Sequence, residues 1–62
     1  MRFRYNADVD VLVIEFNDQL VADSDEIAPD VILDISENQE PVRLEILDAS
    51  KKIDDPSTLT MS

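Results

Sequence analysis

The chain contains no cysteine, no histidine and no glycine. Without cysteine there are no disulfides and no thiolate zinc sites, and the absence suits a reducing compartment. Without histidine the commonest transition-metal ligand and the usual general base near neutral pH are both gone. Without glycine, two-residue hairpin turns that need positive φ at both central positions are disfavoured, so loops of three residues or more are expected. Positive charge is scarce as well: 5 basic side chains face 15 acidic ones, a formal net charge of −10. A nucleic-acid binder needs a basic footprint to release counterions from phosphates. Arg2, Arg4 and Arg43 are too few among the carboxylates to make one, so neither nucleic acid nor an anionic membrane is expected as a partner. Long apolar runs are missing too. The longest aliphatic run is Val11 to Ile14, far short of the about 20 residues of a membrane span and of the about 7–15-residue core of a signal peptide. A cytoplasmic protein is expected.

Length sets the next bound. A chain of 62 residues makes one domain, and a domain of this size buries only about 60% of the surface its unfolded chain exposes. Small proteins make up the shortfall with disulfides, a structural metal or a partner subunit. Association with another chain is the remedy left, and a homodimer or higher homo-oligomer is expected. The acidity admits two readings. A basic protein partner fits it, because complementary fields speed encounter and reject wrong partners. Equally, the charge keeps a small, sticky domain soluble.

What is present is a succession of strand patterns. Val31, Leu33 and Ile35 alternate along one run, and Val42, Leu44 and Ile46 along the next, with the period of two that a half-buried strand requires. Between them, residues 37–41 carry no aliphatic or aromatic side chain and include the breaker Pro41. Nearer the N-terminus, Phe3 and Tyr5 alternate with Arg2 and Arg4, so the aromatics face a core and the arginines face water or a carboxylate. Asn6, Ala7 and Asp8 supply turn chemistry. Residues 9–16 read as the second strand, with Leu12, Ile14 and Phe16 on one face and Val9, Val11 and Val13 on the other. A strand apolar on both faces wants a cover for one of them, which marks Val9, Val11 and Val13 as the candidate oligomer interface.

Asn17 to Gln19 read as a turn and Leu20 to Ala22 as a short strand, interrupted by Asp23, Ser24, Asp25 and Glu26. Such charge blunts a sheet edge against unwanted pairing, and it makes Asp23, Asp25 and Glu26 the candidate partner-binding residues. Pro29 forces a turn or kink. Asp48 reads as the N-cap of a brief helix, with Lys51 and Lys52 suited to its C-terminal end. Residues 1–53 then form the domain and 54–62 a tail. The expected fold is mainly β: an antiparallel meander of four strands, five if residues 20–27 pair, with a short C-terminal helix.

Three segments together, Tyr5 to Ile14, Glu26 to Asp34 and Leu44 to Lys51, resemble a family of short bacterial proteins. It is catalogued as domain of unknown function twenty-two eighty-three. Its members run as a strand with a Tyr-Asp-Pro-Glu-Ala-Asp-like turn, a second strand, an acidic Glu-Val-x-Pro-Gly-Val segment and an ending Gly-Ile-Glu-Ile-Leu-Asp-Ala-Ser-Lys. The likeness covers residues 1–52, and the ending is its most specific part. The chain departs from the pattern at Asp30 and at Pro41, Val42 and Arg43, where glycines are usual. The resemblance implies a small β-rich fold, no established activity, and a prokaryotic setting in which small acidic proteins neutralise basic partners as antitoxins do.

The carboxylates offer little chemistry. Asp8 and Asp10 are two apart, as are Asp23 and Asp25, a spacing that on a strand puts both on one face. Neither run has the successive ligands or the glycine of a calcium loop, and in so acidic a chain such pairs arise freely. Ser50 beside Lys51 is not by itself an activated nucleophile; a helix start explains it better. Asp34 and Glu45, inside strands, are expected to form cross-strand ion pairs with Arg43 or Arg2. No catalytic residue, metal ligand or cofactor site is assigned, and the protein is expected not to be an enzyme. Two functions follow: an acidic protein-interaction module, antitoxin-like in its capture of a basic partner, or a self-associating structural protein.

Overall fold

The computed structural model of the protein describes residues 1–54. Five strands, β1 (Arg2–Asn6), β2 (Val11–Glu15), β3 (Asp23–Ala28), β4 (Val31–Ile35) and β5 (Pro41–Leu47), form one sheet, and a helix of four residues, α1 (Ala49–Lys52), follows. All neighbouring pairs are antiparallel and the strand order is β1-β2-β5-β4-β3. The expected mainly β architecture with a short C-terminal helix is the one present. The meander holds within β1–β2 and within β3–β4–β5. Between these units the chain passes over two strands to reach the far edge, so β2 comes to lie beside β5. No helix among the described residues is long and apolar enough to cross a membrane.

The fifth strand is real but displaced. Leu20 to Ala22, expected as a short strand, lie outside the sheet, and the acidic residues expected to interrupt it are the strand itself. The reason is reach. From β2 to β3 is three strand spacings, about 14 Å, and residues 16–22 are consumed in crossing it, which leaves Leu20 89% exposed. Pairing begins where Ala22 N–H donates to the Ile35 carbonyl at 2.8 Å.

Turns without glycine are made in two ways. The β1–β2 and β4–β5 loops are long, spanning residues 7–10 and 36–40. The β3–β4 turn corrects the expectation of three residues or more, because it has only Pro29 and Asp30 between the paired Ala28 and Val31. Pro29 fixes its own φ near −65°, so only Asp30 is left-handed, at φ 63°. The short polar side chain of aspartate tolerates that region better than most.

Asp48 corrects a second expectation. It occupies the N-cap position of α1 but is itself left-handed, at φ 51°, and its side chain makes no capping bond. Asp10 serves instead, from 40 residues away in sequence. Its carbonyl accepts from Ala49 N–H at 3.0 Å, and its carboxylate accepts from Ser50 N–H at 3.0 Å and Ser50 Oγ at 2.7 Å. Lys52 Nζ donates to the Leu47 carbonyl at 2.9 Å at the other end. The tail assigned to residues 54–62 lies, beyond Asp54, outside the described residues.

Candidate interaction surfaces

In an antiparallel ladder, residues directly opposite project from the same face, so the register assigns every strand side chain to one of two surfaces. One row of the first face reads Phe3, Ile14, Leu44, Leu33 and Asp25 from β1 to β3, and the next Tyr5, Leu12, Ile46, Val31 and Ala28. This is the apolar face. Only Leu12 and Val42 in its strands are buried, and the remaining apolar side chains of these two rows apart from exposed Ala28 are half-buried. Leu12 is fully buried, as is Ala49 of α1.

The opposite face is a charge ladder. Arg2, Glu15, Arg43, Asp34 and Ser24 stand opposite one another in turn across all five strands. Glu15 Oε1 lies 3.2 Å from Arg4 Nη2 and 4.0 Å from Arg2 Nη1. Those cations meet its charge although Oε1 is an enclosed atom that accepts no hydrogen bond. Arg43 Nε donates to Asp34 Oδ2 at 2.7 Å and lies 3.7 Å from Glu45 Oε1, and Ser24 Oγ donates to Asp34 Oδ1 at 2.5 Å. The expected pair of Asp34 with Arg43 is therefore present, whereas Arg2 reaches Glu15 rather than Asp34 or Glu45. Burial pushes the Asp34 carboxyl up, but hydrogen bonds with Ser24, Arg43 and Glu45 outweigh it and hold the group below its ordinary range. Glu45 goes the other way: burial and the neighbouring Asp34 carboxylate raise it, against the pull of Arg43.

Asp23, Asp25 and Glu26 lie on β3, the edge of the sheet, where all six residues are exposed. Among the described residues none of the three carboxylates enters an ion pair; Asp23 accepts from Ser24 N–H, and Glu26 from Asp30 N–H at a long 3.4 Å. Asp23 and Asp25 project with the apolar face and Glu26 with the charge ladder. The valines are split by the fold. Val11 and Val13 lie in β2 on the ladder side, but Val9, expected in the same strand, belongs to the β1–β2 turn and is 62% exposed. All three nonetheless line one shallow hollow of about 580 Å³ that includes Arg4 and Asp8.

Asp8 and Asp10 are not a strand pair, because the turn separates their roles. Asn6 Oδ1 accepts from Asp8 N–H, while Asp10 receives the Tyr5 hydroxyl at 2.6 Å and the start of α1. Those bonds, first from Tyr5 and then from Ser50, lower the Asp10 carboxyl, and the same contact raises Tyr5. Among the described residues no three Asp or Glu side chains group closely enough to hold a metal ion. Sequence reasoning did not find the capping role of Asp10 or the hub at Glu15. Both depend on strand register, and no local pattern carries it.

A family model described as Protein of unknown function (DUF2283) matches residues 2–50, most of the chain. No curated protein and no solved structure matches it.

Proposed function

The chain belongs to the family described as Protein of unknown function (DUF2283), and we propose that it is a non-enzymatic acidic protein-interaction module whose β3 edge takes a basic partner protein. The observation that carries this reading is an exposed edge strand with three carboxylates that no cation of the described residues neutralises. An edge strand presents unpaired backbone donors and acceptors, and an extended segment can add to it as a further strand, with main-chain bonds giving affinity and side chains giving selectivity. Lysines and arginines on such a segment would meet Asp23, Asp25 and Glu26. The net charge of −10 steers the approach. In a prokaryotic cytoplasm this is the behaviour of an antitoxin-like neutraliser.

Calorimetry with a Lys- and Arg-rich extended peptide of about ten residues tests it. Saturable binding is expected at low salt, weakening at least about tenfold toward 0.5 M salt as the Debye length shrinks. The triple variant D23N/D25N/E26Q should lose it while keeping the fold, since these side chains are exposed. A flat titration at low salt would count against the reading. A second reading, self-association, is favoured by a different observation: the half-buried apolar face on the other surface of the sheet.

A further inference from the structure

We infer that two copies of this chain pack through their apolar sheet faces into a two-layer sandwich, with Leu44 of one copy against Leu44 of the other. The inference rests on the self-association reading and assigns it a face, a partner and an orientation. Stable domains are built from at least two packed layers around one core. Among the described residues there is one sheet, and α1 of four residues adds about 6 Å of helix. A helix that short cannot roof the face. Phe3, Ile14, Leu33 and Leu44 form a continuous row across four strands, each half-buried.

Chemistry selects the occupant. The row carries no charge until it reaches Asp25 on β3, and Tyr5, the polar group of the next row, already donates its hydroxyl to Asp10. A surface so free of charge offers a basic partner nothing to pair with, whereas an identical face matches it. The ladder face makes a poorer contact, because burying Arg43, Glu45 and Glu15 against a copy would strip water from charges already paired.

Charge also selects the symmetry. A two-fold axis across the strands would stack β3 on β3 and bring Asp23 and Asp25 of both copies together. An axis along the strands places β3 over β1, which has no acidic residue. In that arrangement β5, the middle strand, lies on the axis; Leu44 meets its own copy and Ile14 meets Leu33 of the partner. Within one chain Ile14 and Leu33 are separated by β5, about 9.6 Å apart.

Equilibrium sedimentation of the full chain at 10–100 µM should give twice the chain mass of 7.0 kDa. In a sample mixing two isotope labels, intermolecular methyl contacts should connect Ile14 with Leu33 and leave Val11 and Val13 silent. The variant L33K should fall to the single-chain mass and V13K should not. A monomer at 100 µM overturns the inference together with self-association. A dimer whose intermolecular contacts come from Val11 and Val13 overturns the inference alone, as does one that L33K leaves intact. Should L33K fail to fold, the mixed-label contacts of the unaltered chain decide.

Discussion

Asp34 is the most constrained single residue of the sheet. Its carboxylate is 2% exposed, accepts from Ser24 and Arg43, and lies in a strand otherwise filled with aliphatic side chains. Removing one partner of a fully buried ion pair costs about 3–5 kcal/mol. Here the Arg43 side chain keeps 37% of its exposure and Glu45 remains nearby, so the loss is nearer that of a charged hydrogen bond. Asp34→Ala is expected to lower stability by about 2 kcal/mol in urea unfolding.

The same cluster sets a pH profile with two limbs. Asp34 is depressed in the folded chain, so its contribution is complete above its ordinary 3.8 and is lost as pH falls through its native value. Glu45 is raised, so its contribution is complete below its ordinary 4.5 and is lost as pH rises through its native value. The pair therefore contributes most between these two ordinary values. Denaturation midpoints measured from pH 2 to 7 should show the acid limb flattened in D34N and the upper limb flattened in E45Q. An unchanged slope in either variant would contradict the assignment. Asp10, also depressed, adds to the acid limb.

At the scale of elements, the turns carry the consequences of having no glycine. Among the described residues four adopt left-handed backbone: Asp10, Asp30, Gln39 and Asp48. Three are aspartates, which tolerate that region through local hydrogen bonds. Gln39 has no such excuse: it lies in the β4–β5 loop at φ 63°, its N–H bonded to the Ser36 carbonyl at 2.9 Å. Left-handed geometry costs an ordinary residue about 1–2 kcal/mol, and glycine's greater freedom when unfolded returns part of that. Gln39→Gly is expected to stabilise the protein by about 0.5–1 kcal/mol, read as a rise in the urea midpoint with an unchanged m-value. Asp30→Gly is a poorer test, because Asp30 also lies 3.7 Å from Lys52 Nζ. Helix α1 is too short to persist alone and exists because Asp10 holds its first turn.

For the whole molecule, the thin core decides how much damage can be absorbed. Among the described residues the fully enclosed apolar ones are Leu12 and Ala49. Leucine-to-alanine changes at buried sites cost about 2–5 kcal/mol, while a whole domain is stable by only about 5–15 kcal/mol, and one this small belongs at the low end. Leu12→Ala should therefore leave a large unfolded fraction at 25 °C, visible as loss of the strand signal in far-UV circular dichroism. Ile14→Ala, at a half-buried site on the same face of β2, should cost less in dilute solution. Burial depth in the single chain ranks the two.

The alternation of apolar and polar side chains is a property of the chain itself, and it determined the strands around Phe3, Leu12, Leu33 and Leu44 and the mainly β class, while Asp48, Lys51 and Lys52 marked the brief helix after Leu47. A period of two needs no knowledge of neighbours. The three segments that carry the family resemblance were likewise local, and the family is the one the chain belongs to. Tertiary structure alone decided which strand lies beside which. The start of β3 at Asp23 rather than Leu20, the removal of Val9 from β2, and the transfer of helix capping from Asp48 to Asp10 all follow from the crossing between β2 and β3 and from a register that brings residues 40 apart into contact. Side-chain direction is written residue by residue, but pairing is a choice among whole strands, made by the hydrogen-bond ladder as the sheet closes.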